Sequence, residues 1–105
     1  MANPMTKIIA VYRQPKDAKI FDKYYAETHT PLAKKMPGLR RLEVTRITGA
    51  AGGASDIYQV AELYFDDPGA RETALASKEG KAVVDDLPKF AAGIVGVYFG
   101  DARER

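Results

Sequence analysis

The chain has 105 residues, 46% of them hydrophobic and 29% charged, with 16 basic against 14 acidic side chains for a net charge of +2, and no cysteine. That length gives room for one domain, expected to span 1–105, that buries roughly two-thirds of its unfolded surface. The charge excess is too small and too evenly spread for a nucleic-acid surface, and without cysteine neither a disulfide framework nor a thiolate metal site can form.

Residues 7–13 (KIIAVYR) are β-branched and aromatic and stop at Gln14-Pro15, which predicts a first strand. Asp17 opens a segment in which Phe21, Tyr25, Thr28, Leu32 and Met36 recur at spacings of three and four, one face of a helix. Pro31 lies inside it, lacks a backbone donor and crowds the carbonyl of Glu27, so the helix is expected to kink or restart there and to end at Pro37-Gly38. Residues 39–48 alternate as a second strand, 49–55 form a small-residue hairpin loop, and 57–65 (IYQVAELYF) read as a third strand. Asp66-Asp67-Pro68 signals the start of a helix. A second helical region is expected over about residues 69–87, interrupted by Ser77 and Gly80 and closed by Pro88, with a fourth strand over 90–99 (FAAGIVGVYF).

The order strand, helix, strand, strand, helix, strand is echoed by a weak internal repeat, IIAVYRQPKD against AELYFDDPGA. It predicts an α+β chain of ferredoxin-like βαββαβ topology, a four-stranded antiparallel sheet with helices on one face. The first strand is apolar from Ile8 to Tyr12 and the stretch 91–100 carries no charge, a pattern of strands covered on both faces. Helices cover one face, so a second copy is expected on the other, pairing two sheets into a dimeric α/β barrel. No apolar run nears the roughly 20 residues of a membrane-spanning helix. Residues 1–6 show no basic stretch leading into an apolar run, so the expected place is the cytoplasm, without membrane or nucleic-acid partners.

The only histidine, His29, follows Tyr25 by four residues, placing both on nearly one helix face with Phe21 and Leu32, next to the backbone that Pro31 opens. Two roles are open to it: an acid/base group oriented by a tyrosine hydroxyl, or a packed histidine bonded to the freed carbonyl. Tyr12, Tyr58 and Tyr64 sit in strands, where phenols give apolar walls oriented polar tips but where tyrosine is also simply favoured. Glu62, in mid-strand, is either a barrel-lining carboxylate or a solvent-facing edge residue. No glycine-rich loop opens a helix, no Gly-x-Ser-x-Gly element occurs, and the pair Asp85-Asp86 lacks metal-ligand spacing, so neither cofactor nor metal is expected.

Tyr24-Tyr25, His29-x-Pro31-Leu32, Pro37-Gly38-Leu39 and Arg41-Leu42-Glu43, followed by residues 58–66 and the stretch from Phe90, together resemble the EthD family of the dimeric α+β barrel superfamily. The resemblance runs from about residue 8 to residue 99. It implies a homodimer with facing sheets and a pocket between sheet and helices in each subunit. It also implies kinship with cofactor-free monooxygenases, muconolactone isomerases and polyketide cyclases or decarboxylases. His29 is the residue to which it gives a functional role.

The expected function is therefore a cofactor-independent enzyme acting on a small apolar organic molecule. In that reading His29 is the acid/base group and Tyr25 orients it, while Tyr24, Phe21, Tyr12, Tyr58, Glu62 and Tyr64 contact substrate. The alternatives are a non-catalytic binding or accessory protein for a hydrophobic metabolite, and a dimeric interaction module without a ligand.

Overall fold

The computed structural model describes residues 5–105; residues 1–4, on which part of the expectation about a leader rests, lie outside them. The elements run β1 (Thr6–Arg13), α1 (Ala18–Tyr24), a π-helical turn (Tyr25–His29), α2 (Thr30–Ala33), β2 (Arg41–Arg46), β3 (Ile57–Phe65), α3 (Pro68–Ala76), α4 (Lys78–Ala91) and β4 (Val95–Asp101). The strands form one antiparallel sheet in the order β2-β3-β1-β4, the ferredoxin-like arrangement that the element order predicts.

Strand periodicity decides what meets the helices. Along β1 every second residue from Thr6 to Tyr12 is buried, so Ile8, Ala10 and Tyr12 face the helical layer together with Ala61, Leu63 and Phe65 of β3. Tyr12 and Phe65 are the largest fully buried side chains. The register slips between Tyr12 and Arg13 opposite Tyr58. This bulge lets the consecutive residues Tyr58 and Gln59 both reach helix-side partners: Tyr58 packs edge-on against Phe21, and Gln59 accepts a hydrogen bond from Arg46.

The opposite face of the sheet differs from the expectation of an unbroken apolar surface. Ile9, Val11 and Val60 are half-buried apolar residues there, but beside them Lys7 pairs with Glu62 at 2.7 Å and the Tyr64 hydroxyl donates to Glu43 at 2.7 Å. Much of the uncharged stretch after Phe90 is not strand at all. β4 begins at Val95, while Phe90 and Ala91 form the last turn of α4 and Pro88 lies inside that helix.

The reason is packing. Val83, Asp86, Leu87 and Phe90 share one helix face, and the Phe90 ring lies against Tyr12, Phe21, Tyr24, Tyr25 and His29 at centroid distances of 4.7–6.0 Å. Burying such a ring contributes about 1.5–3 kcal/mol, and each good aromatic pair about 0.5–1.5 kcal/mol more. Together these offset the roughly 3 kcal/mol that an interior proline costs. The helix stops instead at Gly93, whose φ of 77° suits a residue without Cβ.

Only one of the two interruptions expected in the second helical region is real. Ser77 separates α3 from α4, and its hydroxyl accepts a hydrogen bond from the Gly80 N–H as the α4 cap. Gly80 is a buried member of α4, kept small because a Cβ there would lie 2.0 Å from the carbonyl oxygen of Ala74.

A buried Tyr–Asp–His chain as the candidate functional site

Asp17 caps α1 by accepting the N–H of Ile20 at 3.1 Å. The helix then meets Pro31 and widens: the Thr30 N–H bonds the carbonyl of Tyr25, five residues back instead of four. This π turn takes up the register that the proline disrupts, and α2 restarts with Pro31 in its first turn. Tyr25 and His29, at the two ends of the turn, are both buried against the sheet.

His29 is 4% exposed, and its Nδ1 lies 2.9 Å from Oδ2 of Asp86, itself 4% exposed. The other carboxylate oxygen, Oδ1, accepts the Tyr24 hydroxyl at 2.7 Å. A carboxylate only accepts, so Nδ1 carries the imidazole proton and the lone pair of neutral His29 resides on Nε2. Nothing among the described residues bonds Nε2. Burial pulls the imidazole below its ordinary value of 6.5, with the Asp86 carboxylate acting in the opposite direction. The ring is thus a neutral base near pH 7, fixed in one tautomer and held between Phe90 and Tyr25.

His29 lines a cavity of about 50 Å³ between the helices and the sheet. Its walls are aliphatic apart from His29 and the two tyrosines Tyr12 and Tyr25. Burial pushes the Tyr25 phenol up to about 12, the Thr30 side chain opposing, and drives Tyr12 higher still. Both therefore stay protonated and can donate to an acceptor. The arrangement provides one base and two phenol donors in an apolar space. Among the described residues no cluster of histidine, aspartate and glutamate could hold a metal ion.

With this geometry in place, comparison with known proteins is direct. The EthD domain model matches residues 13–94. The chain belongs to the EthD family. An EthD family protein of known structure from Bacillus halodurans is 42% identical, with a TM-score of 0.91 over 94% of this chain and 99% of the other. An uncharacterized 11.0 kDa protein from the thcB-thcC intergenic region of Rhodococcus erythropolis is 32% identical over 97 residues, 92% of this chain and 94% of its own. Two solved structures share the fold alone. One is a hydroxynitrile lyase from Passiflora edulis (14% identity, TM-score 0.73, 98% of each chain). The other is a dimeric ferredoxin-like protein from Thermobifida fusca (12% identity, TM-score 0.69, 97% and 95%).

In this EthD chain the residues singled out in the sequence are only partly brought together. His29, Tyr25 and Tyr12 share the cavity. Tyr25 is not the group that orients His29: the rings are 5.5 Å apart between centroids, and the oriented hydrogen bond goes to Asp86. Tyr24 holds Asp86 and does not line the cavity. Phe21 is a core aromatic behind Tyr12 and Tyr25.

Tyr58 donates to Asp22 at 2.9 Å at the edge of α1. Glu62 and Tyr64 lie on the far face of the sheet, so neither reaches this cavity. Because β3 is an inner strand, Glu62 is no edge residue either; it is the partner of Lys7. The residue missed from sequence is Asp86. Its signal was present: a carboxylate three residues from Val83 and four from Phe90, on the apolar face of a helix, is costly unless it is bonded.

Proposed function

We propose that this EthD domain is a single-domain, cofactor-independent enzyme that moves a proton on a small, largely apolar organic molecule. The observation that carries the reading is the 2.9 Å pairing of His29 Nδ1 with the buried Asp86 carboxylate, in a ring that itself lines the cavity. A neutral imidazole so held accepts a proton from an acidic C–H or O–H and returns it from the resulting imidazolium. The Asp86 charge favours that imidazolium. Tyr12 and Tyr25 donate to an oxygen on which negative charge develops, in surroundings where such bonds are worth more than in water.

The active form is a homodimer joined through the free sheet face, where Ile9, Val11 and Val60 await cover and Lys7–Glu62 and Glu43–Tyr64 supply polar registration. The fold-level neighbours described as a lyase and as a dimer agree with both halves of the proposal.

The test is deuterium exchange in D2O, followed by proton NMR, at the acidic C–H positions α to the carbonyl in a panel of small ketones and lactones graded in size. Exchange accelerated by the chain and abolished in His29→Gln is the expected result. Equal exchange with the variant, or none with any panel member, defeats the reading.

A further inference from the structure

We propose that the His29 cavity is reached through an apolar portal between α4 and the edge strand β4, with Val84 and Val97 as its lips. The inference deepens the proposed function, since it names the route by which a molecule arrives at that same base. Of the residues lining the cavity, Leu42, Leu75 and Leu87 are half-buried and the rest buried, except Val84 at 49% and Val97 at 41%, the two most exposed.

They line that one cavity from two different elements, α4 and β4. Val97 pairs with Ala10 on the helix-facing side of β4, and Val84 adjoins Val83, which is buried in the core from α4. β4 is an edge strand, so no further strand closes that side. Phe99, two residues along the same side of β4, is 56% exposed but carries the Arg71 guanidinium over its ring at 5.1 Å, so the apolar lips are Val84 and Val97 alone. Both lips are branched aliphatic side chains that offer neither charge nor hydrogen bond. A charged molecule crossing between them loses hydration with nothing in exchange, while a neutral apolar one gains. The portal therefore selects neutral, apolar molecules before they meet His29, and it sets their girth. A dimer formed through Ile9, Val11 and Val60 leaves it free, because those residues face the other side of the sheet.

Because His29 is the only histidine, its labelling by diethyl pyrocarbonate is read directly from the N-carbethoxyhistidine absorbance and needs no substrate. The reagent is neutral, and only one of its two carbonyl carbons has to reach Nε2. Nε2 attacks one carbonyl, an N–C bond forms, a C–O bond breaks and ethyl carbonate leaves. Val97→Trp and, separately, Val84→Phe are expected to slow labelling at least tenfold, and Val97→Ala to speed it severalfold. Val44→Trp, at an exposed strand position outside the cavity lining, is expected to leave the rate unchanged. Low urea should not change the rate in the parent chain, since access through a portal needs no unfolding.

Equal rates in parent, Val97→Trp and Val84→Phe overturn the portal, and so does a rate that climbs with urea in parallel with global unfolding. Labelling reports access alone. A failed portal with intact deuterium exchange, or the reverse, thus separates this inference from the proposed reaction.

Discussion

Asp86→Asn changes one atom of a buried carboxylate and should disturb both the fold and the base. Asp86 accepts two hydrogen bonds, from Tyr24 at 2.7 Å and from His29 at 2.9 Å, with its side chain 5% exposed. Bonds to a charged group are worth about 1.5–3 kcal/mol each. Asparagine keeps one acceptor, presents an amide N–H₂ to the other partner, and relieves the cost of burying a charge. The net loss expected is about 1–3 kcal/mol, on the order of 10 °C in Tm for a chain of this size.

The larger effect falls on the imidazole. An amide N–H₂ facing Nδ1 favours a lone pair there and moves the proton to Nε2, so the atom facing the cavity becomes a donor. Proton transfer by a positioned group contributes about 10²–10⁴ in rate, and that factor should disappear from the deuterium-exchange assay. Nitrogen-15 NMR of the single histidine checks the tautomer directly: Nδ1–H in the parent chain, Nε2–H in Asp86→Asn. Tyr24→Phe, which leaves the carboxylate in place, should preserve the parent tautomer. A parent chain already protonated on Nε2, or an Asp86→Asn variant with unchanged nitrogen shifts, refutes the account of the base.

Burial holds the His29 pKa below 6.5, so as pH falls through 6.5 the unfolded chain binds a proton that the folded chain does not. The stability in question is fully present above 6.5 and is lost as pH drops toward the folded-state value. Urea unfolding between about pH 7.5 and 5 should show this slope in the parent chain, and His29→Gln should lack it. Gly80→Ala drives a methyl against the Ala74 carbonyl and should cost about 1–3 kcal/mol in the same assay. Gly100→Ala, where nothing lies nearer than 3.8 Å, serves as its control and should cost less. Ile9→Lys places a second ammonium beside Lys7 on the free sheet face, and sedimentation should show the dimer replaced by monomer.

The local signals in this sequence were enough for the topology. The β-branched and aromatic content of residues 7–13, the alternation in 39–48, the proline and glycine stops, and the three-and-four spacing from Phe21 to Met36 are local effects that act before any tertiary contact forms. Pro31 likewise announced an opened helix, and the chain takes it up as a π turn. What local signals could not show was which side chains meet across the fold. Phe90 looked like strand because it sits in an apolar run, yet rings from β1, α1 and the π turn hold it in a helix that carries Pro88. Asp86 lies 57 residues from His29, and no spacing rule links them. The pair exists because α4 packs against the π turn, and a carboxylate buried there requires the donors that Tyr24 and His29 provide. Tyr25 was the plausible partner of His29 by helical spacing, but their rings lie tilted side by side, 5.5 Å apart between centroids, and His29 bonds Asp86 instead. Burial separates a titratable group that merely packs from one held ready as a base, and burial is settled only when the whole chain has folded.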